Sequence, residues 1–519
     1  MKNPRLNFTK LTKQYLLVVL LLCSINIQSH AQNKLKVKAF HVDLRIQVMT
    51  MPALKQLALK LHNQGINTLI MEWEGSYPYS GEVVISNKYA YSRAEVKDFI
   101  KYCGSLHIDV IPLQQTFGHV EYILRHYKYA ALREDDKDFS QVCPSEHELN
   151  RELFTKLIKD MISLHDSPYV HIGGDETFLL GHCEKCKKKA AEVGLSRLYF
   201  DHIKLICDIV SGLGKKPVVW ADIALKYPDY IHLLPKETVF VDWNYGWNPN
   251  LFGNRDKLLA SGYEVWGAPS IRSEPDNFYI EKWWNHFENI HNFIPQIKAL
   301  HYQGVVMTSW STSGAYSTVF DSNDDPVALY PIRRVYPLSA FNLLITAYTE
   351  AVKSNQPLDI SAFIRGYCKT NYGFSLTDAE LFRTALFTAP YPVAFGKVKG
   401  KTDLSLDNLV DSTRSALNTL NKLKPQKNQQ EFEHYRLMAE IRLFYLNTLR
   451  LEAAMNSDEF NESVKGKYRA TAVALKDQSV KLDEKFNRLN GGFLKAGELA
   501  DEKALRNAKL NELFDKLVK

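Results

Sequence analysis

The first 31 positions contain no acidic residue, and the apolar run there, Tyr15 to Cys23, is shorter than the ~20 residues a membrane-spanning helix needs. A short apolar run behind Lys2, Arg5, Lys10 and Lys13, closed by Ser29-His30-Ala31, predicts a cleaved export signal rather than an anchor. Export would place the chain in the periplasm or outside the cell. Cys23 follows Leu20-Leu21-Leu22 rather than a small residue, which disfavours lipid attachment there. No glycine-rich phosphate loop of the GxGxxG or GxxxxGK[ST] kind is present, which argues against an open nucleotide-binding sheet. Nor is there an obvious internal repeat or low-complexity linker. Excess charge is also scarce. The formal value of +7 loses the leader's four basic residues, leaving 61 basic against 58 acidic side chains, and a nucleic-acid partner is not implied.

Cysteine is sparse as well: of seven, six lie beyond the leader (Cys103, Cys143, Cys183, Cys186, Cys207 and Cys368), an even number that permits disulfides in an exported chain. Only Cys183-Glu184-Lys185-Cys186 has motif spacing, and with His182 beside it this could be half of a zinc site. No second pair of that spacing exists, so disulfide, free thiols and structural metal stay open. No catalytic metal and no cofactor are expected.

What is abundant is aromatic surface, 12% of 519 residues including 27 Tyr, 26 Phe and 8 Trp, against ordinary globular shares of hydrophobic (45%) and charged (24%) residues. Flat rings over neutral ligands commonly build sugar sites. The length predicts two domains. From residue 37 onward, β-branched or aromatic runs alternate with amphipathic stretches: Val37 to Leu44, Asn67 to Trp73, Asp109 to Gln114, Tyr169 to Gly173, Pro217 to Ala221, Thr238 to Trp243, Glu264 to Ala268 and Gly304 to Trp310. Gly65, Gly214, Gly262 and Gly304 follow helical segments, where a left-handed residue ends a helix. Eight strand-helix units predict an α/β fold, a TIM (β/α)8 barrel over residues 36–350 after a signal at 1–31. From 351 to 519 long charged helical stretches predict a C-terminal α-helical domain that packs on the barrel for stability.

Barrel active sites lie at the C-terminal ends of the strands. Those ends carry Asp43 and Arg45, Glu72 and Glu74, Gln114 and Gln115, Asp175 and Glu176, Trp220 and Asp222, Asp242, Trp243 and Tyr245, Trp266, and Trp310. The sharpest segment is His171-Ile172-Gly173-Gly174-Asp175-Glu176-Thr177, an acidic doublet behind an apolar strand and two glycines. Ordinary glycosidases hold two carboxylates on opposite faces of the sugar, ~5 to 9.5 Å apart, which sequence neighbours rarely manage. An adjacent pair suits substrate-assisted hydrolysis, in which the sugar's 2-acetamido oxygen attacks the anomeric carbon while one carboxylate orients the amide and the other protonates the leaving oxygen.

His171-x-Gly173-Gly174-Asp175-Glu176 resembles the signature of glycoside hydrolase family 20, the β-N-acetylhexosaminidases. Ile70-Met71-Glu72-Trp73-Glu74 with Tyr77-Pro78-Tyr79, the run from Val110 through Gln114-Gln115 to His119, and Ala131-Leu132-Arg133-Glu134 resemble its hexosaminidase D branch, over about residues 38 to 320. The resemblance implies that Asp175 orients the acetamido group, Glu176 is the general acid/base and Tyr245 holds the acetamido carbonyl. It implies a sugar pocket walled by Trp220, Trp243, Trp266 and Trp310, and a terminal GlcNAc or GalNAc on a glycan as substrate, with a slight tilt towards accepting GalNAc. Trp310 is followed by Ser311-Thr312-Ser313 rather than by an acid, so distal hydroxyls would fall to Arg45, Glu72 and Glu74. His119 and His171 are expected as hydrogen-bonded supports. The rivals are a glycosidase pairing Glu176 with Glu72, Glu74 or Asp242, a carbohydrate-binding protein without turnover, and a zinc hydrolase on His182, Cys183 and Cys186.

Overall fold

The computed structural model describes residues 35–518 apart from 247, 249, 254, 274–280, 312–315, 320–327, 332–334, 389–390 and 402. The expected leader, with Cys23, lies outside the described residues. Eight parallel strands close on themselves: β1 (Val37–Asp43), β2 (Thr68–Glu72), β3 (Asp109–Leu113), β4 (Tyr169–His171), β5 (Lys216–Trp220), β6 (Val239–Trp243), β7 (Glu264–Ala268) and β8 (Gly304–Ser309). β8 returns to β1, with Val37 opposite Gly304 and Phe40 opposite Met307. A short extra strand, Ser270–Arg272, runs beside the C-terminal end of β8. Both strand faces are apolar because both are buried. Ala39, Ile70, Ile111, Val218, Val241 and Val306 fill the barrel interior, while neighbours such as Phe40, Leu69, Val110 and Val219 point outward under the helices.

Each strand is followed by a helix: α1 (Met51–Asn63), α2 (Arg93–Ser105), α3 (His147–Ile162), α4 (Leu195–Gly212), α5 (Asp222–Lys226), α6 (Arg255–Ala260), α7 (Trp283–Ala299) and α8 (Asn342–Lys353). Local signals start them. The Thr50 side chain accepts the Ala53 N–H at the head of α1, and Ser92 with Glu95 forms a reciprocal capping box on α2. Gly65, Gly214 and Gly262 take the left-handed conformation expected of them. Gly304 does not. The left-handed turn there is made by His301, with φ 56°. Gly304 opens β8 instead, and a Cβ on it would stand 2.5 Å from Cδ1 of Trp266, whose indole crosses it.

The barrel's last helix runs just past the expected boundary at 350. Six further helices, α9 (Ile360–Tyr372), α10 (Leu376–Leu386), α11 (Leu406–Lys422), α12 (Gln429–Met455), α13 (Glu462–Asn490) and α14 (Ala496–Val518), pack each against the next. The α13–α14 turn docks onto the loop after β1: Thr50 N–H donates to Phe493 O at 2.8 Å and Lys495 N–H to Val48 O at 3.0 Å. No described helix is long and apolar enough to cross a membrane.

Candidate active site

β4 ends at His171, and the two glycines after it permit a turn that no side chain could make. Gly173 sits at φ 70°, and a Cβ there would fall 1.9 Å from Oε1 of Gln115. Its N–H donates to His171 Nδ1 at 3.1 Å. The His171 ring packs against Trp220 with centroids 4.4 Å apart. Burial, with the nearby His41 charge, holds His171 well below the ordinary histidine range, so it supports the loop as a neutral ring. The turn delivers Asp175 and Glu176 to the mouth. Glu176 (φ 47°), His119 (φ 55°) and Glu74 (φ 43°) are all non-glycine residues in the left-handed region, a concentration of backbone strain at one end of the barrel.

His119 Nε2 stands 3.3 Å from Glu176 Oε2 and 3.5 Å from Asp175 Oδ2. Burial would lower His119, but the Asp175 charge and hydrogen bonding to both carboxylates raise it well above the ordinary range. Glu176 moves the other way: the His119 bond, followed by its charge and that of Arg45, outweighs burial and lowers it. The free site therefore stores its proton on the imidazole. Asp222, at the start of α5, accepts the Glu176 backbone N–H at 3.1 Å, and burial with the Asp175 charge pushes its carboxyl up to about 7. Asp175 is itself buried, and its Oδ1 has no hydrogen-bond partner among the described residues.

On the β1 side, Arg45 is clamped by Asp43, with Nη2 to Oδ2 at 3.0 Å, and lies over the Trp310 ring at 5.1 Å. Burial opposes ionisation of Asp43, but the charge and bonds of Arg45, with His41, hold it below the usual range. Glu74 lies 3.9 Å from Arg45; burial first, then the charges of Glu72, Asp43 and Glu121, raise it well above that range despite the arginine. Burial pushes Glu121 up to about 7. Arg45, Glu74 and Glu121 line a cavity of about 530 Å³ together with Tyr122 and, from α14, Glu498 and Asp501. A second cavity, about 350 Å³, lies beside Glu176, Thr177, Phe178, Asp222 and Trp243. α14 thus does more than pack. Glu498 and Glu502 accept from the backbone and side-chain N–H groups of Gln47, both at 3.1 Å, and so hold the loop carrying Arg45.

Two expectations are corrected. Glu72 is fully buried with both oxygens engaged, one by His41 Nε2 at 2.8 Å and one by Gln115 Nε2 at 2.9 Å, so it braces Gln115 instead of facing a hydroxyl. Trp266 points into the barrel but at the wrong depth: its indole N–H donates to Glu264, the first residue of β7, at 2.8 Å, and its ring packs on Tyr169, the first residue of β4. It fills the base. Trp220 and Trp310, with centroids 5.9 Å apart, do reach the mouth, and Trp243 lies against Tyr245 at 5.0 Å. Trp310 Nε1 donates to Tyr245 Oη at 2.8 Å, and Thr308 is a second hydrogen-bond partner of the phenol. Asp242 is spent in the wall, paired with Arg255 at 2.7 Å and accepting from Tyr302 at 2.6 Å. Thr312 and Ser313 lie outside the described residues. Asp222 and Gln115 stand at strand ends, where the sequence alone assigns neither a role, and no local pattern marks Glu121 or Glu498.

The pattern of "Glycosyl hydrolase family 20, catalytic domain" matches residues 30–325. The chain is 25% identical over 303 residues to Hexosaminidase D of Homo sapiens, an alignment covering 55% of this chain and 62% of that protein. It is likewise 25% identical over 296 residues to Hexosaminidase D of Bos taurus, covering 54% and 85%. The chain thus spans less than two thirds of the human relative's length. Among solved structures, the β-N-acetylhexosaminidase from Bacteroides fragilis NCTC 9343 aligns with a TM-score of 0.49 at 17% identity, over 65% of this chain and 70% of that one.

Proposed function

The chain belongs to glycosyl hydrolase family 20, and from that premise we propose that it is an exo-acting β-N-acetylhexosaminidase that removes terminal N-acetylhexosamine from glycans by retaining, substrate-assisted catalysis. The observation that carries this reading is the Asp175 carboxylate, buried with one oxygen lacking a hydrogen-bond partner among the described residues. Such an acceptor is costly unless a ligand supplies the donor, and a 2-acetamido N–H is a donor of the right kind. Tyr245, placed by Trp310 and Thr308, would turn its proton to the acetamido carbonyl oxygen when the sugar binds. Gripped at both ends, the amide swings its oxygen onto the anomeric carbon, and Asp175 stabilises the positive charge of the resulting oxazolinium-like ring. The His41, His171, Trp220 and Trp310 rings pack on one another at the inner side of the site, a cluster that would end a sugar pocket there and so suits a chain end.

Glu176 protonates the leaving oxygen and then accepts a proton from the water that opens the ring. It starts ionised beside an imidazolium, so the proton first passes from His119 Nε2 across 3.3 Å to its carboxylate, leaving both groups neutral. Chromogenic N-acetylglucosaminides and N-acetylgalactosaminides should both be turned over, and the matching glycosides without the 2-acetamido group should not. A stable thiazoline mimic of the bicyclic intermediate should inhibit far more tightly than the free sugar. Hydrolysis of glycosides lacking the acetamido group, with covalent trapping of Glu74 by a 2-fluoro sugar, would replace this reading by an opposed-carboxylate mechanism.

A further inference from the structure

Beside the loop that carries the acidic doublet, three cysteines from two segments converge. Cys143 Sγ lies 3.6 Å from Cys183 Sγ and 3.4 Å from Cys186 Sγ. A carboxylate oxygen of Glu134 joins them, and the four ligand atoms all lie within 4.8 Å of one another. His182, which the local spacing offered as a ligand, stands outside this group: its side chain is 54% exposed and pairs with Asp135 at 2.8 Å.

The spacing suits a metal. Tetrahedral zinc, with Zn–S bonds of ~2.3 Å, sets neighbouring sulfurs ~3.8 Å apart. A disulfide would bring one pair to ~2.05 Å and leave the third sulfur and the carboxylate over. Glu134 is buried; one of its oxygens accepts the Cys183 N–H at 2.8 Å, and Oε2 has no hydrogen-bond partner among the described residues. Without a cation, that buried carboxylate has only the weak S–H donor of Cys186 beside it. The sulfurs are also supported as thiolates need to be. Cys183 caps the helix Glu184–Val193 with its Sγ accepting the Cys186 N–H at 3.4 Å, and Ser145 Oγ stands 3.1 Å from Cys186 Sγ.

We propose that Cys143, Cys183, Cys186 and Glu134 bind one zinc ion. Four protein ligands leave no position for water or substrate, so the site is structural and takes no part in hydrolysis. Binding releases three thiol protons and ties the segment after β3 to the segment after β4. Leu179 N–H, donating to Gln141 Oε1 at 3.0 Å, lies between the two, and the tied stretch includes Thr177 and Phe178 of the second cavity. The metal would thus brace one wall of the pocket from behind. This inference does not depend on which sugar the pocket takes.

The test is elemental analysis of the purified full-length protein after dialysis against metal-free buffer, with intact mass and thiol count on the same sample. About one zinc per chain is expected, with all thiols reduced. Exchange for cobalt(II) should give a strong near-ultraviolet thiolate-to-cobalt band and the visible bands of a tetrahedral ion. Cys186→Ser should lose the zinc and His182→Ala should keep it, while stripping wild type with a chelator should lower its melting temperature. Should Cys186→Ser fail to fold, the wild-type metal count and cobalt spectrum decide. A mass two hydrogens lower with a peptide bridge from Cys143 to Cys183 or Cys186 and no zinc would overturn the proposal. So would free thiols in a protein that takes up no zinc from a zinc-containing buffer, or a cobalt adduct without the thiolate band.

Discussion

The two ends of the barrel interior hold the same kind of residue in opposite circumstances. At the base, Trp266 is fully buried, its indole N–H satisfied by Glu264 and its face covering Gly304. At the mouth, Trp220 is as deeply buried, yet its indole nitrogen has no partner among the described residues, and it is ringed by His41, His171 and Trp310. At the base, then, the one donor that Trp266 carries has an internal acceptor. At the mouth, Asp175 Oδ1 and the Trp220 nitrogen both lack partners among the described residues. Burial therefore does not separate structure from function here; unmet hydrogen-bonding capacity does.

The comparison is sharpened most by Glu176→Gln. It should lower kcat by about 10² to 10⁴ for substrates with poor leaving groups, and less for activated aryl glycosides, because protonation matters most when the leaving oxygen is basic. The melting temperature should hardly move. Equal losses on both substrate classes would remove Glu176 from the role of acid.

The tryptophans come next. Trp266→Ala should cost about 3–5 kcal/mol of stability, the usual toll of emptying a large buried side chain, while the folded remainder keeps kcat/KM within about twofold. Trp220→Ala should cost comparable stability and in addition reduce kcat/KM by at least about tenfold, since it removes part of the pocket floor. Thermal melts and steady-state kinetics on both variants check this, and identical kinetic behaviour would erase the distinction between mouth and base.

A smaller effect concerns pH. In wild type the site's proton rests on His119, whose affinity for it is raised well above the ordinary range, so activity should persist until pH climbs through that raised value. In His119→Gln the carboxyl of Glu176 must hold the proton alone, and the alkaline limb of kcat/KM should move to lower pH. An unmoved limb would show that His119 only positions its neighbours.

The barrel itself was legible because parallel strands buried on both faces leave long apolar runs, and because glycines and polar caps punctuate them. The doublet Asp175-Glu176 was legible because two glycines and two adjacent acids behind an apolar strand have few structural uses. Trp266 misled because a strand's alternation says which residues point inward but not how deep they sit. Depth follows the stagger of the closed barrel: the middle of β7 pairs with Gly304, the first residue of β8, and is thereby carried to the base. Glu72 misled for a related reason, since it ends β2 as expected but its partners come from elsewhere, His41 from β1 and Gln115 from the loop after β3.

The order of strands and helices, the loops at one mouth and the acidic doublet behind β4 could all be read from the sequence, because these are written in spacing over a few residues. Only the tertiary structure decided which distant groups meet. Glu498 reaches Gln47 across 451 positions, Asp222 comes to rest under Glu176, and Cys143 with Glu134 replaces His182 beside the paired cysteines. Such meetings depend on how the barrel closes and how the helices dock, and no local periodicity carries that information.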